Sequence, residues 1–406
     1  MGYQKPGRLQ YRIAQAVCAV VARVIFRRQI LRNEIRDKKG PFVVIANHQA
    51  ALDFVNLIGA AKRPMSFVIS NSFYSTLPIK GFLDKMGVIP KQQFQTTVKD
   101  LKRIKSVIDA GEPLVIYPAG LMCEDGLSTP IPTATYKFLK WLDADIYAAR
   151  VSGTYFVMPK WGKGLRPGRT QIDIYKLFSK EELADIDMET LKQRTDEALL
   201  FDAYREQEAL GCKYMNGNDI RGLEHVLYMC PHCGREFTVE LRGKSTLCCS
   251  ACGFEETADA YGFLKKTGGD GEELRYVSDW SRKIFGAQQD KAANGIETEI
   301  SAKVRISMIN EKKNKFFEVG EGTVTLTKKG FDVDAVLNGE PRNFFVSVAN
   351  VPSLPFSPGR YFEIQHGQDI YRCAPEDGRI VMKLINMLKI YGSAPRVKQK
   401  QQEEAV

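Results

Sequence analysis

Phe42-Val43-Val44-Ile45-Ala46-Asn47-His48-Gln49-Ala50-Ala51-Leu52-Asp53 divides into an apolar half and a reactive half. The run 42–46 predicts a buried strand, and apolar positions resume after it as a helix expected over 51–61. His48 is therefore expected at a strand's end, with Asp53 near a helix start. A histidine can take a proton from a hydroxyl near neutral pH. A carboxylate beside it can fix the tautomer and stabilise the imidazolium. No Ser or Cys nucleophile adjoins the pair, so it suits direct attack by an alcohol on an activated acyl group. The spacing also fits a plain capped helix start, with Asp53 on backbone N–H groups and His48 a loop residue.

Outward from this stretch, apolar runs alternate with helical patterns to about residue 178. Strands are expected at 65–69, 87–90, 113–117, 145–151 and 170–176. Helices are expected at 96–110 and 133–143, followed by a charged helical piece over 180–209. This alternation predicts an α/β sandwich over 41–209 with a parallel or mixed sheet and reactive residues at strand ends.

Four motifs in order give the first ~200 residues a resemblance to the glycerolipid acyltransferase family. Asn47-His48 followed by Asp53 completes the first block. Gly87-Val88-Ile89-Pro90-Lys91 matches the second, and Tyr117-Pro118-Ala119-Gly120, after an apolar strand, matches the third in part. Tyr155-Phe156-Val157-Met158-Pro159 loosely matches the fourth, an apolar strand ending in proline. The resemblance implies His48 as general base, Asp53 as its partner, and Lys91 and Gly120 as acceptor contacts. It also implies a thioester donor, acyl-CoA or acyl carrier protein, and a lysophospholipid acceptor, 1-acylglycerol-3-phosphate. Ala119 departs from the family, which has glutamate there, and Leu121-Met122 stand where a basic residue is usual. Glu124 and Asp125 are the nearest carboxylates. Ala119 therefore keeps a different lipid hydroxyl open as acceptor. A non-catalytic lipid-binding scaffold is the alternative from another class; the intact His48 and Asp53 speak against it.

The 406 residues suggest two or three domains. Mean hydropathy is −0.26, and no run approaches 18 uncharged apolar residues, so no transmembrane helix is expected. Residues 1–40 hold ten basic residues against Glu34 and Asp37, most of the net charge of +10. Within them Ile13 to Ala22 is an apolar helical run bracketed by Arg12 and Arg23. Such a helix can lie on an anionic phospholipid surface, which predicts a peripheral protein at the cytoplasmic face of the cell membrane. An ordinary core helix with exposed arginines fits the same pattern. The segment lacks interleaved aromatics, so no nucleic-acid partner is expected.

Residues 210–228, broken by Gly211, Asn216, Gly217 and Asn218, read as a linker. Over 229–256, Cys230-x-x-Cys233 and Cys249-x-x-Cys252 have zinc-ribbon spacing, predicting a closed, structural Cys₄ zinc site. Cys248 competes with Cys249, but the symmetrical spacing favours Cys249. Cys18, Cys123 and Cys373 lie in apolar runs typical of packed thiols. A connecting segment, 257–299, leads to a strand-rich α+β unit at 300–395. It ends in a helix over Gly378 to Tyr391, a pattern similar to pleckstrin-homology-like domains. The tail 396–406 reads as disordered.

Overall fold

The computed structural model describes residues 5–91, 97–296, 299–310, 313–351 and 353–393, so the tail 396–406 lies outside the described residues. The first sheet holds β1 (Gln29–Asn33), β2 (Phe42–Ala46), β3 (Ser66–Ser70), β4 (Ile89–Lys91), β5 (Leu114–Ile116), β6 (Asp145–Ser152) and β7 (Gln171–Phe178). Their order is β1-β7-β6-β2-β5-β3-β4. Central β2 is parallel to β5 and β6, and β3 is parallel to β5 and β4. β7 runs antiparallel to β6, and β1 pairs in parallel with β7. All five residues of β2 are buried, as a strand covered on both faces must be.

Helices α1 (Arg8–Val24), α2 (Phe54–Leu57), α3 (Asn71–Thr76), α4 (Lys80–Lys85), α5 (Val98–Asp109), α6 (Thr133–Trp141) and α7 (Thr154–Val157) surround this sheet. The helix expected over 51–61 is only the single turn α2, flanked by turns. Its surroundings explain this: the carbonyls of Ile58, Ala60 and Ala61 accept side-chain donors from Tyr11, Asn33 and Gln15. The charged piece 180–209 is three helices, α8 (Lys180–Asp185), α9 (Met188–Leu199) and α10 (Ala203–Leu210). Ser179, Asp187 and Asp202 each cap an N-terminus by accepting backbone N–H groups. The fourth motif is not a strand: β6 ends at Ser152, Gly153 turns at φ +84°, and Thr154 to Val157 form α7.

β8 (Val239–Arg242), β9 (Thr246–Cys249), β10 (Glu255–Ala258) and β11 (Leu264–Gly268) form a four-stranded antiparallel sheet around the cysteine knuckles. The stretch before it is packed, with Cys212, Tyr214, Ile220, Leu223 and Tyr228 buried. After it comes α11 (Val277–Ala293), whose buried Trp280 donates from Nε1 to the Met229 carbonyl at 2.8 Å.

The last unit is antiparallel: β12 (Glu299–Asn310), β13 (Lys315–Thr327), β14 (Gly330–Leu337), β15 (Glu340–Ser347), β16 (Phe356–Ser357), β17 (Tyr361–His366) and β18 (Asp369–Pro375). The order is β15-β14-β13-β12-β18-β17-β16, and the sheet curls on itself. Phe344 of β15 stacks on His366 of β17 with centroids 4.6 Å apart. α12 (Ile380–Ser393) follows, and residues 381–388 are all buried. A helix buried all round is an internal brace between units. Lys383 of α12 reaches Glu236 of the cysteine unit at 2.6 Å, and Lys389 reaches Glu124 of the first unit at 2.7 Å.

Candidate active site and metal centre

β2, β5 and β6 are neighbours running the same way, so the residues that follow each converge at one edge of the sheet. After β2 come Asn47 and His48. After β5 comes Tyr117, and after β6 the Gly153 turn. Asn47 locks this edge: its amide donates to the Val151 carbonyl and accepts from the Val151 N–H, both at 2.8 Å. Gln49 is fully buried and accepts through Oε1 from Thr154 Oγ1 and Tyr155 N, at 3.2 Å each. The His48 loop is thus held from both sides.

His48 Nδ1 lies 2.9 Å from Asp53 Oδ2. The same oxygen accepts the Gln49 and Ala50 N–H groups at 2.7 and 2.9 Å. The capped turn and the His–Asp pair, alternatives by spacing, therefore coexist on one carboxylate. Asp53 is wholly buried, whereas 19% of the His48 side chain is exposed. With Nδ1 turned to Asp53, Nε2 is the ring nitrogen left to face a substrate. Tyr117 stacks on the imidazole, with centroids 4.2 Å apart and planes at 24°. Its hydroxyl is buried without a partner among the described residues. Burial and the nearby Asp53 carboxylate push that hydroxyl well above its ordinary pKa. In the sequence Tyr117 stands only as part of a motif; the stack's one signal there is an aromatic at the end of the adjacent strand.

Gly120 adopts φ +70°, and its N–H donates to the Tyr117 carbonyl at 3.0 Å, closing the turn at the same edge. Lys91 ends β4, three strands from β2. That is about 14 Å away at ~4.8 Å per strand, so the fold does not bring it against His48. Burial lowers the Lys91 pKa, with Asp100 opposing. The nearest carboxylates to Ala119 are engaged elsewhere. Glu124 is buried between Lys389 and Lys160, and Asp125 accepts from Ser281 of α11.

The sulfurs of Cys230, Cys233, Cys249 and Cys252 all lie within 4.8 Å of one another and could hold a metal ion. The Cys230–Cys252 and Cys233–Cys249 separations are 3.7 and 3.8 Å. A tetrahedron with ~2.3 Å Zn–S bonds has edges of about 3.8 Å, so the quartet fits a zinc ion. Both knuckles close alike: Gly234 N donates to the Cys230 carbonyl and Gly253 N to that of Cys249. Cys248 instead turns its sulfur to the Glu240 carbonyl and stays out of the quartet. Four thiolates leave no open coordination position, as in a structural site.

Residues 27–162 match the model of a family described as Acyltransferase. Among solved structures, a 1-acyl-sn-glycerophosphate (LPA) acyltransferase, PlsC, from Thermotoga maritima is 15% identical with a TM-score of 0.39. The match covers 50% of this chain and 79% of that one. No curated protein matches the sequence significantly. The matched span contains His48, Asp53, Lys91 and Gly120 and begins ahead of β1.

Proposed function

We infer, from the premise that residues 27–162 are an acyltransferase domain, that the protein is a peripheral O-acyltransferase acting on lysophospholipids. The observation that carries this is the His48–Asp53 contact at 2.9 Å, with the imidazole partly exposed at the C-terminal ends of the parallel strands β2, β5 and β6. In this reading His48 Nε2 takes the proton of the acceptor hydroxyl, and the oxygen attacks the carbonyl of an acyl-CoA or acyl carrier protein thioester. The tetrahedral intermediate collapses with loss of the thiolate. That thiolate receives the proton back from His48, leaving an ester and a free thiol. Asp53 holds the Nδ1–H tautomer and offsets the imidazolium charge. Gly120 borders the acceptor, and Lys91, farther along the same edge, attracts its phosphate. The cysteine quartet holds a structural Zn²⁺, and the curled sheet with α12 is a pleckstrin-homology-like unit.

α1 supports action at a membrane surface. Tyr11, Ala14, Cys18 and Ala22 pack inward, while Leu9, Ile13, Val17, Val20 and Val24 are exposed along the opposite face. Arg8, Arg12 and Arg23 are exposed beside that stripe. Apolar residues flanked by arginines match an anionic bilayer, with the stripe among the acyl chains and the guanidinium groups on phosphates. No described helix is long and apolar enough to cross a membrane. The Tyr11 hydroxyl donates to the Ile58 carbonyl, which keys α1 to the segment following Asp53. A peripheral enzyme at the cytoplasmic face of the cell membrane fits these features.

The test is acyl transfer by purified protein on anionic vesicles, with acyl-CoA and 1-acylglycerol-3-phosphate, beside the His48→Ala protein. Phosphatidic acid formed by the first and not the second supports the reading. Ala119 favours one second reading, a different lipid hydroxyl. Product from a total lipid extract, with none from 1-acylglycerol-3-phosphate, establishes it. Silence with both acceptors in a folded protein leaves a lipid-binding scaffold.

A further inference from the structure

The third motif runs into a loop that the far end of the chain reaches. Glu124 is 4% exposed and is met by two lysines, Lys389 Nζ at 2.7 Å and Lys160 Nζ at 3.9 Å. Lys389 comes from α12, 265 residues along the chain. Lys160, its side chain 5% exposed, also donates to the Met122 carbonyl and lies 3.3 Å above the Phe356 ring of β16. The neighbouring carboxylate, Asp125, accepts from Ser281 of α11. Two elements beyond the matched domain, α12 and α11, therefore close on residues 124 and 125, and β16 backs Lys160.

That loop touches the backbone of the base and of the residue after it. The Cys123 N–H donates to the His48 carbonyl at 3.2 Å, and Cys123 Sγ reaches the Gln49 carbonyl at 3.6 Å. Glu124 is the next residue. A carboxylate this deep is costly unless paired. The two lysines outweigh burial and keep Glu124 below its usual range. Its position is thus dictated by where the lysines are, and a shift of Glu124 moves the peptide that holds the His48 loop.

We propose that Lys389 is a positioning residue for acyl transfer. Through Glu124 it fixes the Cys123 peptide against the His48 loop, so the base is aligned only while the C-terminal unit is docked. This inference rests on the acyltransferase reading for its kinetic consequence, but not for its structural one.

The experiment uses the full-length chain in four forms: wild type, Lys389→Met, Lys389→Arg and the double variant Glu124→Gln/Lys389→Met. Lys389→Met keeps an apolar stem and leaves Glu124 paired with Lys160 alone, while the double variant removes the carboxylate too and leaves Lys160 facing a neutral amide. Hydrogen exchange is read at amides 47–50 and 121–125, with melting followed in parallel. Acyl transfer is measured against the wild type. The expected result is exchange at least tenfold faster at both segments in Lys389→Met and in the double variant, with exchange in β12–β14 unchanged. The kcat falls at least tenfold, KM for the thioester stays within about twofold, and Lys389→Arg restores most of both readouts.

Unchanged exchange at 47–50 in a folded double variant overturns the proposal, whatever the activity. So does wild-type kcat in that variant. If the double variant does not fold, Lys389→Met, which keeps the Glu124–Lys160 pair, carries the test by the same readouts. A wild type with no transfer activity counts against the enzyme reading, while the exchange result still decides the clamp.

Discussion

The ring of Tyr117 covers the imidazole of His48, with centroids 4.2 Å apart, and reaches it from the strand next door. Tyr117 follows β5 and His48 follows β2, so the sheet register itself brings the two rings together. A stack of this kind is worth roughly 1 kcal/mol. It restricts the imidazole to the plane in which Nδ1 meets Asp53. Tyr117→Leu is expected to lower kcat about fivefold to tenfold. Tyr117→Phe, which keeps the stack and removes an unpartnered buried hydroxyl, should hold activity within about twofold and match or exceed wild-type stability. A Tyr117→Phe protein as inactive as His48→Ala would instead give the hydroxyl a role in the reaction.

Asp53→Asn tests how the carboxylate is used. One oxygen accepts three donors, from His48, Gln49 and Ala50. An asparagine oxygen in the same place can accept from all three donors, but it carries no charge to offset the imidazolium. The expected loss in kcat is about 10²-fold to 10⁴-fold, with a stability cost of about 1–3 kcal/mol measured by denaturant. Activity near wild type with stability lost would make Asp53 a loop cap and nothing more.

Metal content is expected to follow the quartet and not the cysteine count. Cys249→Ser should abolish bound zinc, whereas Cys248→Ser should leave it intact, since Cys248 points to a backbone carbonyl. Chelation should loosen the 229–268 sheet. It should also shift the fluorescence of Trp280, packed edge-on against Phe254 at 5.8 Å. Elemental analysis of the two variants decides which cysteine is the ligand.

Glu256 gives a pH dependence. It is buried with Oε1 accepting the Leu274 N–H, and burial raises its pKa from 4.5 to about 7. Between those values the folded state binds a proton that the unfolded chain does not, so the stability this group supplies falls as pH rises toward about 7. Glu256→Gln keeps the Leu274 bond without the charge. It should stabilise the protein by roughly 2–3 kcal/mol at pH 8 and by almost nothing near pH 4.5. Equal shifts at both pH values, read by denaturant titration, would remove the titration account.

The exposed stripe on α1 predicts a separable membrane defect. Val17→Asp with Val20→Asp should abolish cosedimentation with anionic vesicles and leave the melting temperature within about 2 °C, because both side chains face outward. Transfer to a short-chain, water-soluble acceptor should persist. Retained vesicle binding would locate the lipid contact elsewhere.

Sequence periodicity gave β2 to the residue, because five apolar positions in a row have little else to become. The C-x-x-C pairs likewise announced a sulfur cluster that the fold brings within 4.8 Å. β1 was missed because its residues are exposed and its partner, β7, lies some 140 residues on, so nothing local marks the pairing. The three caps in 180–209 were present in the sequence as Ser179, Asp187 and Asp202. Charge continuity along the segment hides the breaks they mark. Lys389 carried no signal at all: a lysine in an apolar helix looks the same whether it meets solvent or Glu124.

The Lys389–Glu124 contact has a consequence for how the molecule comes to be made. Loop-closure entropy must be met before a contact between residues 265 apart can contribute, so this one is expected to follow the more local contacts of the first sheet. A partly folded chain would hold His48 and Asp53 but lack the last constraint on their loop. Competence would then arrive as the closing event of folding, and an acyl group would be moved only by a molecule whose assembly is complete.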